Sequence, residues 1–177
     1  MKKLIIVFII GLISVSNGYT QIESGDKEVS FLGFYSTFVG EDVEPNGYGS
    51  IQISYGKYYS RYLQLGFAPT LSFATGQDEY GDPKVDVQLS ASVFFNFNLA
   101  AASKTIPYLT GRYYQFTFDI PEDAEFGDYS YITLGFGIKN FINEYAAFNT
   151  LGTYGFSPAE DNEGGIVLIM VGISFIF

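Results

Sequence analysis

Residues 85–99 alternate without a break. Val85, Val87, Leu89, Ala91, Val93, Phe95, Phe97 and Leu99 share one parity; Asp86, Gln88, Ser90, Ser92, Phe94, Asn96 and Asn98 share the other. A period of two is the signature of a β-strand. The length of the run narrows the choice further. Strands of ordinary domains are about five or six residues long, whereas a tilted strand that crosses a bilayer needs about 9–11. Residues 63–73 repeat the pattern, with Leu63, Leu65, Phe67, Pro69, Leu71 and Phe73 set against Gln64, Gly66, Ala68, Thr70 and Ser72.

Extended along the chain, this reading gives eight strands: 28–39, 48–58, 62–73, 85–98, 106–118, 129–141, 145–156 and 165–177. Their connections alternate between short (59–61, 99–105, 142–144) and long (40–47, 74–84, 119–128, 157–164). The short turns recur at a spacing near 41 residues, so each repeat is one hairpin. A propeller blade would need about four strands in that length. The expected architecture is therefore all-β: an eight-stranded antiparallel up-and-down barrel.

Which face looks inward is a question of chemistry. A soluble barrel turns its apolar set inward, and a membrane barrel turns it outward, toward lipid. The polar parity here is Ser, Thr, Asn, Gln and Gly with few charges. Such groups can satisfy one another in a confined lumen, whereas a water-facing strand usually carries Lys and Glu. The apolar parity is long-chain and aromatic, and would form a large exposed patch in water. Aromatic residues gather near the strand ends: Tyr58, Tyr59, Tyr62, Tyr108, Phe141 and Tyr145 by the short turns, and Phe38, Phe73, Phe118, Tyr129, Tyr154 and Phe156 at the opposite rim. Rings at those depths suit the two interfaces of a bilayer. The expectation is a transmembrane barrel, with a secreted soluble ligand-binding barrel of the lipocalin type as the alternative.

The beginning of the chain reads as a cleaved signal peptide. Lys2 and Lys3 precede an apolar run at residues 4–15, and small residues follow at Ser16, Gly18 and Thr20. That run is too short for a spanning helix of about 20 residues. The expected division is a signal peptide over 1–20 and a barrel domain over 21–177. The barrel portion then holds seven basic and nineteen acidic residues, a balance that argues against nucleic acid as a partner. There is no cysteine and no histidine. Disulfide scaffolding, His- or Cys-based metal sites and Ser–His chemistry are excluded together. Fourteen of the nineteen acids fall in or at the edges of the four long loops: Glu41, Asp42, Glu44, Asp78, Glu79, Asp82, Asp119, Glu122, Asp123, Glu125, Asp128, Glu160, Asp161 and Glu163. Loop acids of this kind are ordinarily solvated. They supply oxygen ligands for divalent cations, although neither 78–82 nor 161–165 has the spacing of a calcium loop. No catalytic, cofactor or metal residue is expected, and the chain does not read as an enzyme.

The last strand carries the most specific pattern. Val167, Ile169, Val171, Ile173, Phe175 and Phe177 share one parity, and the sequence stops on an aromatic. This resembles the closing strand of small bacterial outer-membrane β-barrels of the OmpA/OmpX-like family, and residues 50–73 (SIQISYGKYYSRYLQLGFAPTLSF) look like one of that family's hairpins. The resemblance implies a location in the outer membrane of a Gram-negative cell, with both termini periplasmic and the acidic loops extracellular. Implied partners are outer-membrane lipid, lipopolysaccharide and the barrel-assembly machinery, for which Phe175 and Phe177 would form the terminal signal. Two features depart from the pattern. Ile166, Leu168, Met170 and Ile176 make the other parity of the last strand apolar too, and strands 28–39 and 145–156 alternate poorly.

One charge stands mid-strand. Arg112 on the lipid side would cost about 2–4 kcal/mol at the midplane, so it is expected to face the lumen beside Tyr108, Thr110, Tyr114 and Phe116. Asp86, on the preceding strand, is its candidate partner by residue type. An eight-stranded barrel is just wide enough for side chains to fill. The expected role is therefore structural or surface-interacting, with a narrow porin-like channel for small solutes or ions as the alternative.

Overall fold

The computed structural model describes residues 22–38, 46–77, 83–100, 102–115, 130–158 and 165–177. Residues 1–20, expected to be a signal peptide, and all fourteen loop acids lie outside these residues. The described residues form eight strands: β1 (Lys27–Phe38), β2 (Asn46–Tyr58), β3 (Leu63–Gln77), β4 (Pro83–Asn98), β5 (Thr105–Gln115), β6 (Ser130–Phe141), β7 (Ala146–Phe156) and β8 (Gly165–Ile176). Each pairs antiparallel with its sequence neighbour, and β8 returns to β1 to close the barrel. The strand limits match the alternation to within a few residues. The largest difference is in the β3–β4 hairpin, where Thr75, Gly76 and Gln77 stay paired with Val85, Lys84 and Pro83. Residues 116–118, expected to finish the fifth strand, fall outside the described set.

Both ends of the folded chain and the three short turns lie at one end, called here the near end. Lys27 and Phe177 exchange two backbone hydrogen bonds there, each donating its N–H to the other's carbonyl at 2.8 and 2.9 Å. The segment before β1 is also held: the Gly25 N–H donates to the Tyr58 carbonyl at 2.8 Å. Gly25 has φ +105°, a conformation that a side chain would disfavour.

The faces are turned as the alternation requires. Val85, Val87, Leu89, Val93, Phe95, Phe97 and Leu99 are exposed, and Ser90, Ser92, Phe94, Asn96 and Asn98 are buried. Phe31, Ile51, Ile53, Phe67, Leu134, Phe136, Ile169 and Ile173 extend the exposed apolar surface around the barrel. The β1 and β7 strands, whose facing was ambiguous, join the pattern, with Ser30, Leu32, Asn149 and Leu151 inside and Phe31, Tyr35, Phe148 and Tyr154 outside.

The aromatic girdle expected near the short turns divides in two. Tyr59, Tyr62 and Tyr145 are exposed, but Tyr58, Tyr108 and Phe141 are buried inside the barrel. The three buried rings sit at strand ends but on the inward parity, and parity decides their direction.

Candidate functional site

The lumen gathers the buried polar side chains of the described strands, and its near half is filled. The lowest layer is apolar. Ile22, Tyr58, Ile106, Phe141, Ala147 and Ile176 form one buried cluster across the near mouth. Ile22 belongs to the segment preceding β1, so the chain's own lead-in covers that opening.

Directly above lies a charged pair. Lys139 Nζ and Glu28 Oε2 are 2.6 Å apart, and their side chains are 0% and 3% exposed. Tyr58 joins both, its hydroxyl donating to Glu28 Oε2 at 2.6 Å and accepting from Lys139 Nζ at 2.7 Å. Gln64 Nε2 also donates to Glu28 Oε2, and Ser30 Oγ donates to Glu28 Oε1. The network continues outward from these contacts. Asn96 Nδ2 donates to Gln64 Oε1 at 2.6 Å. Ser30 and Ser174 share a hydrogen bond of 2.8 Å, Asn149 Nδ2 donates to Ser174 Oγ, and the Tyr108 hydroxyl donates to Asn149 Oδ1. The Lys139 ammonium also stands 5.4 Å from the Tyr58 ring centre and 5.0 Å from that of Tyr108, within cation–π range.

This network takes a side chain from every strand: Glu28 and Ser30 from β1, Tyr58 from β2, Gln64 from β3, Asn96 from β4, Tyr108 from β5, Lys139 from β6, Asn149 from β7 and Ser174 from β8. A buried ion pair offsets its desolvation only when further hydrogen bonds satisfy both partners. Glu28 accepts from four side chains here, which meets that condition. Room for the Tyr108 ring comes from Gly137, its partner across the ladder, where a built Cβ would collide with the ring and hydroxyl.

The next layer upward is apolar again. Leu32, Leu151 and Met170 pack around Tyr108, with Phe34 against them. Arg112 comes above it and is 4% exposed. Arg112 Nη1 donates to Gln52 Oε1, and the guanidinium lies 5.0 Å from the Phe94 ring centre. Gln52 Nε2 in turn donates to Thr70 Oγ1 at 3.2 Å and to the Tyr114 hydroxyl at 3.0 Å. Arg112 thus faces the lumen. Its partner is not Asp86. Asp86 is exposed and pairs with Lys84 at 3.1 Å, and both side chains are more than half exposed. The register explains the correction: Arg112 sits opposite Phe94, eight residues along β4 from Asp86, roughly 26 Å of strand.

Beyond Gln52 the far half opens into a cavity of about 240 Å³, lined by Tyr48, Ser50, Gln52, Thr70, Ser72, Ser90, Tyr114, Tyr131, Thr133, Thr153, Ile166, Leu168 and Met170. The apolar second parity of the last strand is accounted for by these contacts: Ile176 and Met170 fill the near half, and Leu168 and Ile166 form one wall of the cavity. Among the described residues no group of three or more acidic side chains could hold a metal ion. The loop acids considered for cations lie outside them.

Two solved structures share this architecture. The N-terminal β-barrel domain of Pseudomonas aeruginosa OprF superposes with a TM-score of 0.52 at 15% identity, over 88% of this chain and all of that domain. The outer membrane protein OprG of the same organism superposes with a TM-score of 0.53 at 11% identity, over 90% of this chain and 99% of its own. The fold is that of a bacterial outer-membrane β-barrel. No protein-family model matches the sequence, and no curated protein is similar to it.

The residues that carry the luminal chemistry are mostly not those singled out from the sequence. Glu28 and Lys139 do not stand out in the sequence, because β1 alternates poorly and Lys139 lies close to the 142–144 turn. The usable signal was parity. Lys139 shares its parity with Thr133, Gly135 and Gly137, and an in-strand lysine on the small-residue face points into the lumen. Phe175 and Phe177 face outward and are 45% and 63% exposed.

Proposed function

We propose that this chain is an outer-membrane barrel of a Gram-negative bacterium with a structural and surface-interacting role, and that its lumen is closed to through-flow. The observation that carries this reading is the network drawn from all eight strands around Glu28–Lys139. It lies between apolar layers built on Ile22 and Met170. Side chains held by mutual charge-assisted hydrogen bonds, with both partners desolvated, leave no aqueous path for an ion at that level. The membrane setting is supported by the continuous apolar exterior, which in water would be a patch far larger than a soluble monomer carries. It is also supported by strands of 11–16 residues. An exterior of this kind argues against the secreted ligand-binding barrel.

In this reading the near end is periplasmic and the acidic loops face outward, toward lipopolysaccharide and divalent cations. The exposed rings of Phe175 and Phe177 serve as the terminal signal for the assembly machinery. The chain carries no catalysis.

The test has two parts. The purified protein in detergent should migrate differently on a gel with and without boiling. Reconstituted in a planar bilayer, it should show no sustained stepwise conductance, and Arg112→Ala should leave that baseline unchanged. Steady channels in the parent protein would overturn the closed-lumen reading and favour the narrow-channel alternative. Identical mobility with recovery in a soluble fraction would overturn the membrane reading.

A further inference from the structure

The barrel wall is not continuous. β1 and β8 pair from Lys27 and Phe177 up to Gly33 and Val171, and the ladder stops there. Both strands run on, through residues 34–38 of β1 and 165–170 of β8. Neither stretch is frayed. Residues 34–38 remain paired with β2 as far as Phe38–Asn46, and residues 165–170 remain paired with β7 as far as Phe156–Gly165. The strands therefore part from each other while each keeps its other neighbour. Tyr35 on one lip and Ile169 and Val167 on the other are exposed apolar residues, so the gap opens within the greasy belt. Backbone groups along an unpaired edge are not tolerated against hydrocarbon unless they line a cavity.

Such a cavity lies behind the gap. Among the described residues seven of the eight strands line the far-half cavity and β1 does not; its first residue beyond the ladder, Phe34, packs beside the cavity against the Leu32–Met170 layer and the Tyr48 ring. The cavity has two kinds of surface. Ile166, Leu168 and Met170 of β8 make an apolar side next to the gap. Thr70 and Thr133 offer hydroxyl groups, and Thr133 Oγ1 is buried without a hydrogen-bond partner among the described residues. Behind Gln52 stands Arg112, a buried cation with no carboxylate partner among the described residues.

We propose that the β1–β8 gap is a lateral portal through which a single-chain carboxylate amphiphile of the fatty-acid type passes from the bilayer into this cavity. Its head is received at the Thr133 hydroxyl, under the positive field of Arg112, and its chain lies along Met170, Leu168 and Ile166 toward the gap. Among the described residues the hydroxyl has no partner and the cation no carboxylate, and both favour an acidic head. The apolar wall continuous with the opening favours a hydrocarbon tail. The inference rests on the membrane reading above, but not on whether the near half conducts.

The experiment uses the whole barrel in phosphatidylcholine nanodiscs, titrated with [1-¹³C]decanoate and followed by the carboxyl NMR signal. One saturable site per barrel is expected. Thr133→Val removes a hydroxyl that has no partner among the described residues, so the barrel should keep its thermal stability while affinity falls about fivefold. The ladder, carried upward, would set Tyr35 opposite Ile169, outward-facing residues on the two lips of the gap. Tyr35→Cys with Ile169→Cys, joined by a short reversible bis-thiosulfonate, should abolish uptake, and reductant should restore it. The two single-cysteine variants capped with methyl thiosulfonate should bind as the parent does. Absence of a saturable site in a barrel that still shows its gel shift would overturn the proposal and leave the membrane reading intact. Undiminished uptake by the bridged barrel would overturn the portal. A missing gel shift would instead sink the membrane reading.

Discussion

The near and far halves of the lumen are built from the same strands and solve opposite problems. In the near half polar groups close on one another. Glu28 accepts from Lys139, Tyr58, Gln64 and Ser30, and an apolar layer seals each side. In the far half the hydroxyls of Ser50, Ser72, Ser90 and Thr133 line open space, Thr133 lacks a partner among the described residues, and the wall parts between β1 and β8. A barrel whose apolar surface faces outward cannot draw its stability from an ordinary core. The contrast locates that stability in the near half and leaves the far half free to interact.

The largest expected effect follows from the ion pair. Lys139→Met strands a buried carboxylate whose other three donors cannot replace an ammonium. Loss of one partner of a buried pair costs about 3–5 kcal/mol, so urea unfolding followed by gel shift should show a drop of that order. Replacing both partners, Glu28→Met with Lys139→Met, should recover most of it, because two packed apolar chains carry no desolvation cost. If the double variant were as unstable as the single one, the network would matter for its hydrogen bonds rather than for its charge. If Lys139→Met cost no more than a far-half change such as Ser90→Ala, the division between the halves would fail.

A smaller effect is expected at Gly137. A Cβ there would meet the Tyr108 ring, which lies between Lys139 and Asn149. Gly137→Ala should force the ring aside and weaken its bond to Asn149, at about 1–3 kcal/mol, typical of overpacking. Tyr108→Phe in the Gly137→Ala background separates the two causes. If the hydroxyl has already lost its bond, removing it should add little. A full additive loss would mean that the ring had not moved.

Much of this arrangement was legible in the sequence, and the remainder was illegible for a definable reason. Period-two alternation gave the eight strands and the outward turn of Val85, Phe95 and Ile169, because parity is a local property of an extended chain. What lies opposite what across a closed lumen is not local. Glu28 and Lys139 are 111 positions apart in the chain. Their meeting depends on strand stagger, which no single strand encodes. The depth of Tyr58, Tyr108 and Phe141 fits a girdle, yet their parity points them inward. The open gap between β1 and β8 left one trace, the apolar second parity at Ile166, Leu168 and Met170, which looked like a departure from pattern and is the wall of the cavity.

The smallest expected effect tests the pairing that residue type alone suggested. Asp86 and Lys84 are close, but both are largely solvated, and exposed pairs are worth about 0–1 kcal/mol. Asp86→Asn should therefore shift the unfolding midpoint barely at all, and the shift should shrink further in high salt. Arg112→Ala should cost more, since it removes the bond to Gln52 and the contact with the Phe94 ring inside the barrel. In a double-mutant cycle the two changes should add to within about 0.5 kcal/mol, as distant sites do. A coupling well above that would place the Asp86 carboxylate within the field of Arg112. The far-half cation would then be compensated, and the case for an acidic ligand head would lose its electrostatic basis.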